Sequence, residues 1–212
     1  MEYPDPPAVL PSALITTVPA DTSVWRIHSD ARGAADLNPT PRPRARAGGR
    51  FDSLDGSYSY LYVGDSPAAA VAETLCRNLP VDQSPRLIPR IQIRGRALSE
   101  LRTTRPVRVA DLTGTGAARL NAGVWLTKCD PSGYVATRRW AAAVLAANPD
   151  LDGLQYRPRH DENNLAWMLT GTRTATAHAA IAPVGGVVPL DSADGHYLLG
   201  ALLTAHNAAL AP

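Results

Sequence analysis

Apolar positions in this chain recur at two spacings, and the switch between them marks its elements. Around Ser23-Val24-Trp25-Arg26-Ile27-His28 apolar and polar residues begin to alternate, the period of a half-buried strand. The aromatic-rich run Tyr58-Ser59-Tyr60-Leu61-Tyr62-Val63-Gly64 predicts a second strand. From Ser66 the spacing becomes helical, with Ala68, Ala72, Leu75, Cys76 and Leu79 on one face and Pro80 closing the element. Asp65 or Ser66 can cap the first free N–H groups, and Pro67 suits a first turn that needs no N–H. Glu73 falls on the flank of the apolar face, roughly 100° round from Ala72, at the edge of a core.

Further strand-like segments lie at 86–93, 97–101, 107–112 and 154–157, with apolar runs at 165–169 and 179–184. A helix is predicted from about Thr137 to Ala147, stopped by Asn148-Pro149. A last one, from about 192 to 210, would bury Leu198, Leu199, Leu202 and Leu203. Strands outnumber helices without regular alternation, and no repeat of 20 to 50 residues is visible. That pattern predicts an α+β fold, with helices packed on a mixed or antiparallel sheet. Five prolines in the first 20 residues make 1–22 an expected N-terminal arm, ahead of one globular domain over 23–212. Residues 36–49, rich in Pro, Arg and Gly, predict a long loop that Gly48-Gly49 turns into Arg50-Phe51-Asp52.

Composition narrows the function. The chain has 212 residues, 45% hydrophobic and 19% charged, ordinary for one medium globular domain. Cys76 and Cys129 form no spaced framework, so two reduced thiols are expected. No apolar run approaches the ~20 residues of a membrane span. The N-terminal residues are acidic and Pro-rich where a signal peptide is basic and then apolar, so a cytoplasmic protein without membrane association is expected. A net charge of +2 gives no case for a general nucleic-acid binder, and only the run Arg42-Pro43-Arg44-Ala45-Arg46 offers local footing for one. His28, His160, His178, His196 and His206 are scattered, with no zinc-helix pair and no C-x-x-C, so no metal is expected.

Three features can carry chemistry. Arg26 in a strand and Arg50 after a glycine pair suit phosphate oxygens, or serve as surface ion-pair partners. The tyrosine-rich strand running into the helix of Glu73 puts a stacking face near a carboxylate, although tyrosines at period two also simply cover a sheet. The run Tyr156-Arg157-Pro158-Arg159-His160-Asp161-Glu162-Asn163-Asn164 is dense in polar groups, or is a solvated loop.

Taken in order, Trp25-Arg26-Ile27-His28-Ser29, Gly49-Arg50-Phe51-Asp52, the stretch from Tyr60 to Leu75, and Asp152-Gly153-Leu154-Gln155-Tyr156-Arg157-Pro158-Arg159 resemble a RES domain, over about residues 24–170. The resemblance implies a fold similar to ADP-ribosyltransferases. It implies an enzyme that destroys NAD⁺ at the nicotinamide–ribose bond by hydrolysis or phosphorolysis, as the toxin of a toxin–antitoxin pair. Carried over, Glu73 would act at the ribose, with Arg50 beside it in catalysis. Arg26 and Arg50 would hold phosphates, Tyr62 would face the nicotinamide or its ribose, and Arg157 or Arg159 would serve inorganic phosphate as co-substrate. The implied partners are NAD⁺ and an Xre-like antitoxin, through which alone nucleic acid would be reached; a homodimer is compatible. Where the family reads Tyr-Arg-Ser-Arg this chain has Pro158, which offers neither hydroxyl nor N–H. Transfer of ADP-ribose to a macromolecule, or binding by a RES fold without turnover, are the alternatives.

Overall fold

The computed structural model describes residues 3–44 and 47–212. Its first half runs β1 (Ile15–Val18), β2 (Ser23–Ser29), β3 (Tyr58–Gly64), α1 (Pro67–Val71), β4 (Leu87–Ile88), β5 (Arg96–Thr103) and β6 (Val107–Asp111). The second half runs α2 (Gly114–Arg119), α3 (Trp125–Lys128), α4 (Tyr134–Ala147), β7 (Gly153–Tyr156), β8 (Ala166–Thr172), β9 (Ile181–Pro189), α5 (Ala193–Thr204) and β10 (Ala209–Leu210). Eight strands form one sheet in the order β1-β6-β7-β8-β3-β2-β5-β9, while β10 pairs with β4 alone. Among the described residues of the sheet only β6 and β7 are parallel, and α2 to α4 make the crossover between them. The mixed-sheet α+β expectation therefore holds.

Three apolar clusters stabilise the sheet. Trp140, Ala141 and Val144 of α4 pack with Leu154, Tyr156, Met168 and Phe51 on one face. Leu61, Val63, Leu101, Val109, Trp167 and Leu169 fill the other. Beyond β2 and β5, α1 and α5 close over Ile27 and Leu98 with Val71, Leu75 and Leu199.

Several elements differ from the pattern of the sequence. Residues 15–18 of the expected arm form β1, which borders β6 at the sheet edge. The arm is also pinned further back, where the Trp140 indole donates to the Pro4 carbonyl (2.9 Å) and Tyr3 packs on Trp125. Such a short strand takes its conformation from its neighbour, so the prolines around it masked it. Helix α4 starts at Tyr134, ahead of Thr137, because Asp130 caps a turn through Pro131–Gly133 that leads into it. Helix α5 stops at Thr204, short of 210, where the backbone folds back on Leu203 and Asn207 turns left-handed (φ 49°). Only Leu87–Ile88 of the segment 86–93 is strand.

Two local features place the site. Strands β2 and β3 are neighbours through the single register pair Trp25↔Gly64, although β2 pairs with β5 along its whole length. Where β2 leaves β3, Asn38 of the long loop takes its place, exchanging two main-chain hydrogen bonds with Tyr60 (2.7 and 3.1 Å). The sheet is thus split at its middle, and the split opens a crevice. At the closed end, Gly64 touches α1: a Cβ there would stand 2.6 Å from Ala69 Cβ and 2.7 Å from the Ala70 nitrogen. We expect Gly64→Ala to cost about 1–3 kcal/mol, as overpacking against backbone does. A urea-unfolding midpoint equal to wild type would show that this approach is not needed.

Candidate functional site

The crevice in the split sheet holds a cavity of about 180 Å³. Arg26 and Ile27 of β2, Tyr60 and Tyr62 of β3, Asn38, Arg42 and Gly48-Gly49 of the loop, and Glu73, Arg77 and Arg96 line it. Arg26, Tyr62 and Glu73, far apart in sequence, therefore meet in one place.

Glu73 arrives there by a local departure from helix geometry. Ser66 caps α1 by accepting from the Ala69 N–H (3.1 Å), and Pro67 occupies its first turn. After Val71 the helix widens into a π turn over Ala72–Cys76, of the kind often found at functional sites. Glu73 lies in that turn, 4% exposed, with Oε2 buried and without a hydrogen-bond partner. Burial raises its pKa above the ordinary carboxyl value, and the charges of Arg50 and then Arg77 oppose the rise.

Arg50 is not on the crevice wall. It is 1% exposed and lies behind Glu73, over the Tyr134 ring (5.4 Å), with Nη2 donating to the Cys129 carbonyl at 3.3 Å. Its Nε and Nη1 are buried without partners, as are the hydroxyls of Tyr134 and Tyr156. Burial works against the Arg50 cation, but Glu73, with Tyr134 and Tyr156, outweighs it and keeps the group charged. Arg50 and Glu73 are thus coupled through space, without a direct salt bridge, and only Glu73 lines the crevice.

The three tyrosines of β3 point to one side, rings edge-on to one another, and each anchors the loop. Tyr58 donates to the Phe51 carbonyl (3.0 Å), and Tyr60 to the Thr40 carbonyl (2.9 Å). Tyr62 donates to Asp52 Oδ1 (2.7 Å) and accepts from the Phe51 N–H (3.0 Å). Asp52 also receives the Gly49 N–H (2.7 Å). The Tyr62 hydroxyl is thereby occupied, and what it offers the crevice is its ring. Burial, then Asp52, pushes its pKa well up, so it stays protonated. A Cβ on Gly49 would meet Tyr62 Oη at 2.6 Å, which is why the turn needs its glycine.

Four arginines make the wall cationic. Arg26 spends one Nη on the carbonyls of Ala34 (2.6 Å) and Asp36 (2.7 Å), and burial, eased by Asp36, lowers its pKa to about 10. Arg42 and Arg77 each bury an Nε with no partner. Arg96 is lowered by burial and by Arg77 beside it. Sequence reading missed Arg42, Arg77 and Arg96 as site residues. Arg77 carried a signal, since it follows Glu73 by one helical turn; Arg96, at a strand start, carried none.

Arg157 and Arg159 lie elsewhere. Arg157 donates to the Glu162 carbonyl (2.6 Å) and borders a separate hollow with Lys128, and Arg159 reaches the Arg77 carbonyl (3.5 Å). Pro158 is buried away from the crevice lining, its carbonyl accepting from Lys128 Nζ (2.7 Å). Of the basic run, Arg42 faces the crevice, Arg44 is exposed, and Arg46 lies outside the described residues. Cys76 and Cys129 are free and buried. Among the described residues no helix is long and apolar enough to cross a membrane, and no three His, Cys, Asp or Glu side chains gather as a metal site.

The crevice thus combines two buried carboxylates, Asp52 and Glu73, with the Tyr62 ring and four arginines. The chain belongs to the RES-domain family, whose sequence profile matches residues 23–193. Among solved structures it is similar to a chain of the M. tuberculosis MbcT–MbcA toxin–antitoxin complex, with 16% identity over 79% of this chain and 86% of that one, and a TM-score of 0.47. No curated protein sequence matches it.

Proposed function

We propose that this protein degrades NAD⁺ by breaking the bond between nicotinamide and its ribose, as a cytoplasmic toxin held in check by an antitoxin partner. The observation that carries the catalytic part is Glu73: a buried carboxylate with an unpartnered oxygen, in the field of Arg50, opening onto a crevice with Tyr62 and four arginines. The toxin role rests on family membership.

The chemistry follows from the charges. As the C–N bond breaks, its electron pair stays on the ring nitrogen, and nicotinamide leaves neutral without needing a proton. Positive charge passes to the ribose carbon and ring oxygen, where the Glu73 carboxylate stabilises it. An acceptor oxygen then bonds to that carbon and loses its proton to solvent. Tyr62 stacks on a ring, and Arg26, Arg42, Arg77 and Arg96 hold the pyrophosphate. In this reading Arg50 acts on Glu73, not on phosphate, and Arg157 and Arg159 contribute nothing to the dinucleotide.

The test is incubation of the purified full-length chain with NAD⁺, with and without inorganic phosphate, following free nicotinamide. Release in both conditions marks water as acceptor, and release that depends on phosphate marks phosphorolysis. ADP-ribose label on a macromolecule would favour the transferase alternative. Complete recovery of NAD⁺ after long incubation would sink the enzyme reading.

A further inference from the structure

Arg138 is fully buried in the middle of α4, and its guanidinium meets main chain. Nε donates to the Gly49 carbonyl (3.0 Å), Nη1 to those of Arg42 (2.6 Å) and Arg44 (2.7 Å), and Nη2 to those of Ala47 and Gly49. Its neighbour Thr137 donates to the Arg50 carbonyl (2.6 Å), and the Tyr134 ring lies 5.7 Å from the Arg138 guanidinium carbon. Four carbonyl dipoles from one loop thus converge on one cation. Carbonyl oxygens brought together repel unless donors are spread among them, and only a planar fork with five N–H groups spreads them this widely.

The loop so gathered is a wall of the crevice, because it carries Arg42 and Gly48-Gly49. Arg42 brings a buried Nε without a partner, and Gly49 brings the Asp52–Tyr62 pair into register. We propose that Arg138 is a positioning residue for substrate: it fixes the backbone at Arg42, Arg44, Ala47 and Gly49 so that Arg42 meets the anionic part of the ligand. It touches no substrate itself. Loss of this shaping weakens ligand capture, while Glu73, held in the π turn after α1, keeps the chemistry. The proposal rests on the NAD⁺ reading of the crevice.

The experiment uses full-length Arg138→Lys, which keeps the charge but not the fork. We expect KM for NAD⁺ to rise at least about tenfold with kcat within a few-fold of wild type, the signature of lost binding before the chemical step. Added millimolar guanidinium should lower KM again, which a general loss of structure would not allow. Unchanged KM, or a joint fall of kcat without guanidinium rescue, overturns the proposal. Arg42→Gln, which leaves Arg138 in place, should give a similar KM rise even if Arg138→Lys does not fold; a wild-type KM in Arg42→Gln also overturns it. If wild type does not turn over NAD⁺, hydrogen exchange over residues 47–53 separates the two ideas. Faster exchange in Arg138→Lys upholds the positioning role without the NAD⁺ reading, and unchanged exchange ends both.

Discussion

Replacing Glu73 with Gln should reduce nicotinamide release by at least about 100-fold in a protein that still folds but is less stable, because buried Arg50 loses its counter-charge. The amide has nearly the shape of the carboxylate, so the π turn and its packing are kept. What disappears is the negative charge that meets the developing cation. A steady-state assay beside a melting curve checks this, and activity within tenfold of wild type in a folded Glu73→Gln protein would exclude Glu73 as the charge stabiliser. The same residue sets the pH profile. Burial raises the Glu73 pKa, and the reaction needs the ionised form, so kcat/KM should fall on the acid side at a pH above the ordinary carboxyl value of 4.5. An acid limb at or below 4.5 contradicts this.

The second large effect is on stability. Arg50→Met removes the cation behind Glu73 and leaves a buried carboxylate without its counter-charge, at a cost of about 3–5 kcal/mol at neutral pH. The sign with pH follows from linkage. In wild type Glu73 binds its proton more tightly folded than unfolded, so its contribution to stability is present below the unfolded pKa and is lost as pH rises through the folded one. Removing Arg50, the largest influence holding that pKa down, widens the gap. The variant should therefore be least stable above pH 7 and recover in mild acid, where the neutral carboxyl needs no partner. Arg50→Met/Glu73→Gln should restore most of the loss, since both charges go together. Equal destabilisation at pH 5 and pH 7, or no recovery in the double variant, would show that Arg50 and Glu73 are not coupled.

Much of the frame could be read from local signals. Ser66-Pro67 announced a helix start, the alternation in Tyr58–Gly64 announced β3, and the two together brought Glu73 close to Tyr62. What could not be read was the side of the protein on which an arginine ends. Arg50 and Arg26 are the same residue type in similar surroundings, yet one is buried behind the carboxylate and the other lines the crevice. That depends on α4 and β7, which pack Tyr134 and Tyr156 around Arg50 from far along the chain. The widening of the helix at Ala72 was equally silent, since it alters no apolar spacing before Glu73. Arg138 did leave a trace. It stands four residues after Tyr134 and three before Ala141, on the apolar face of α4, where a lone arginine marks a buried donor.

The place of β3 in the sheet also bears on when the crevice can form during synthesis. Glu73, Arg50 and Tyr62 are made well before β8, and β3 has no full-length neighbour until β8 pairs with it from Tyr58↔Thr172 to Gly64↔Ala166. Arg138 and Tyr156 also come late. At roughly 5–20 residues per second the nascent chain carries its reactive carboxylate for about 5–20 s before the strand beside it is anchored. The crevice is thus complete only once β8 has been made, and translation products that stop before it are expected to be inert.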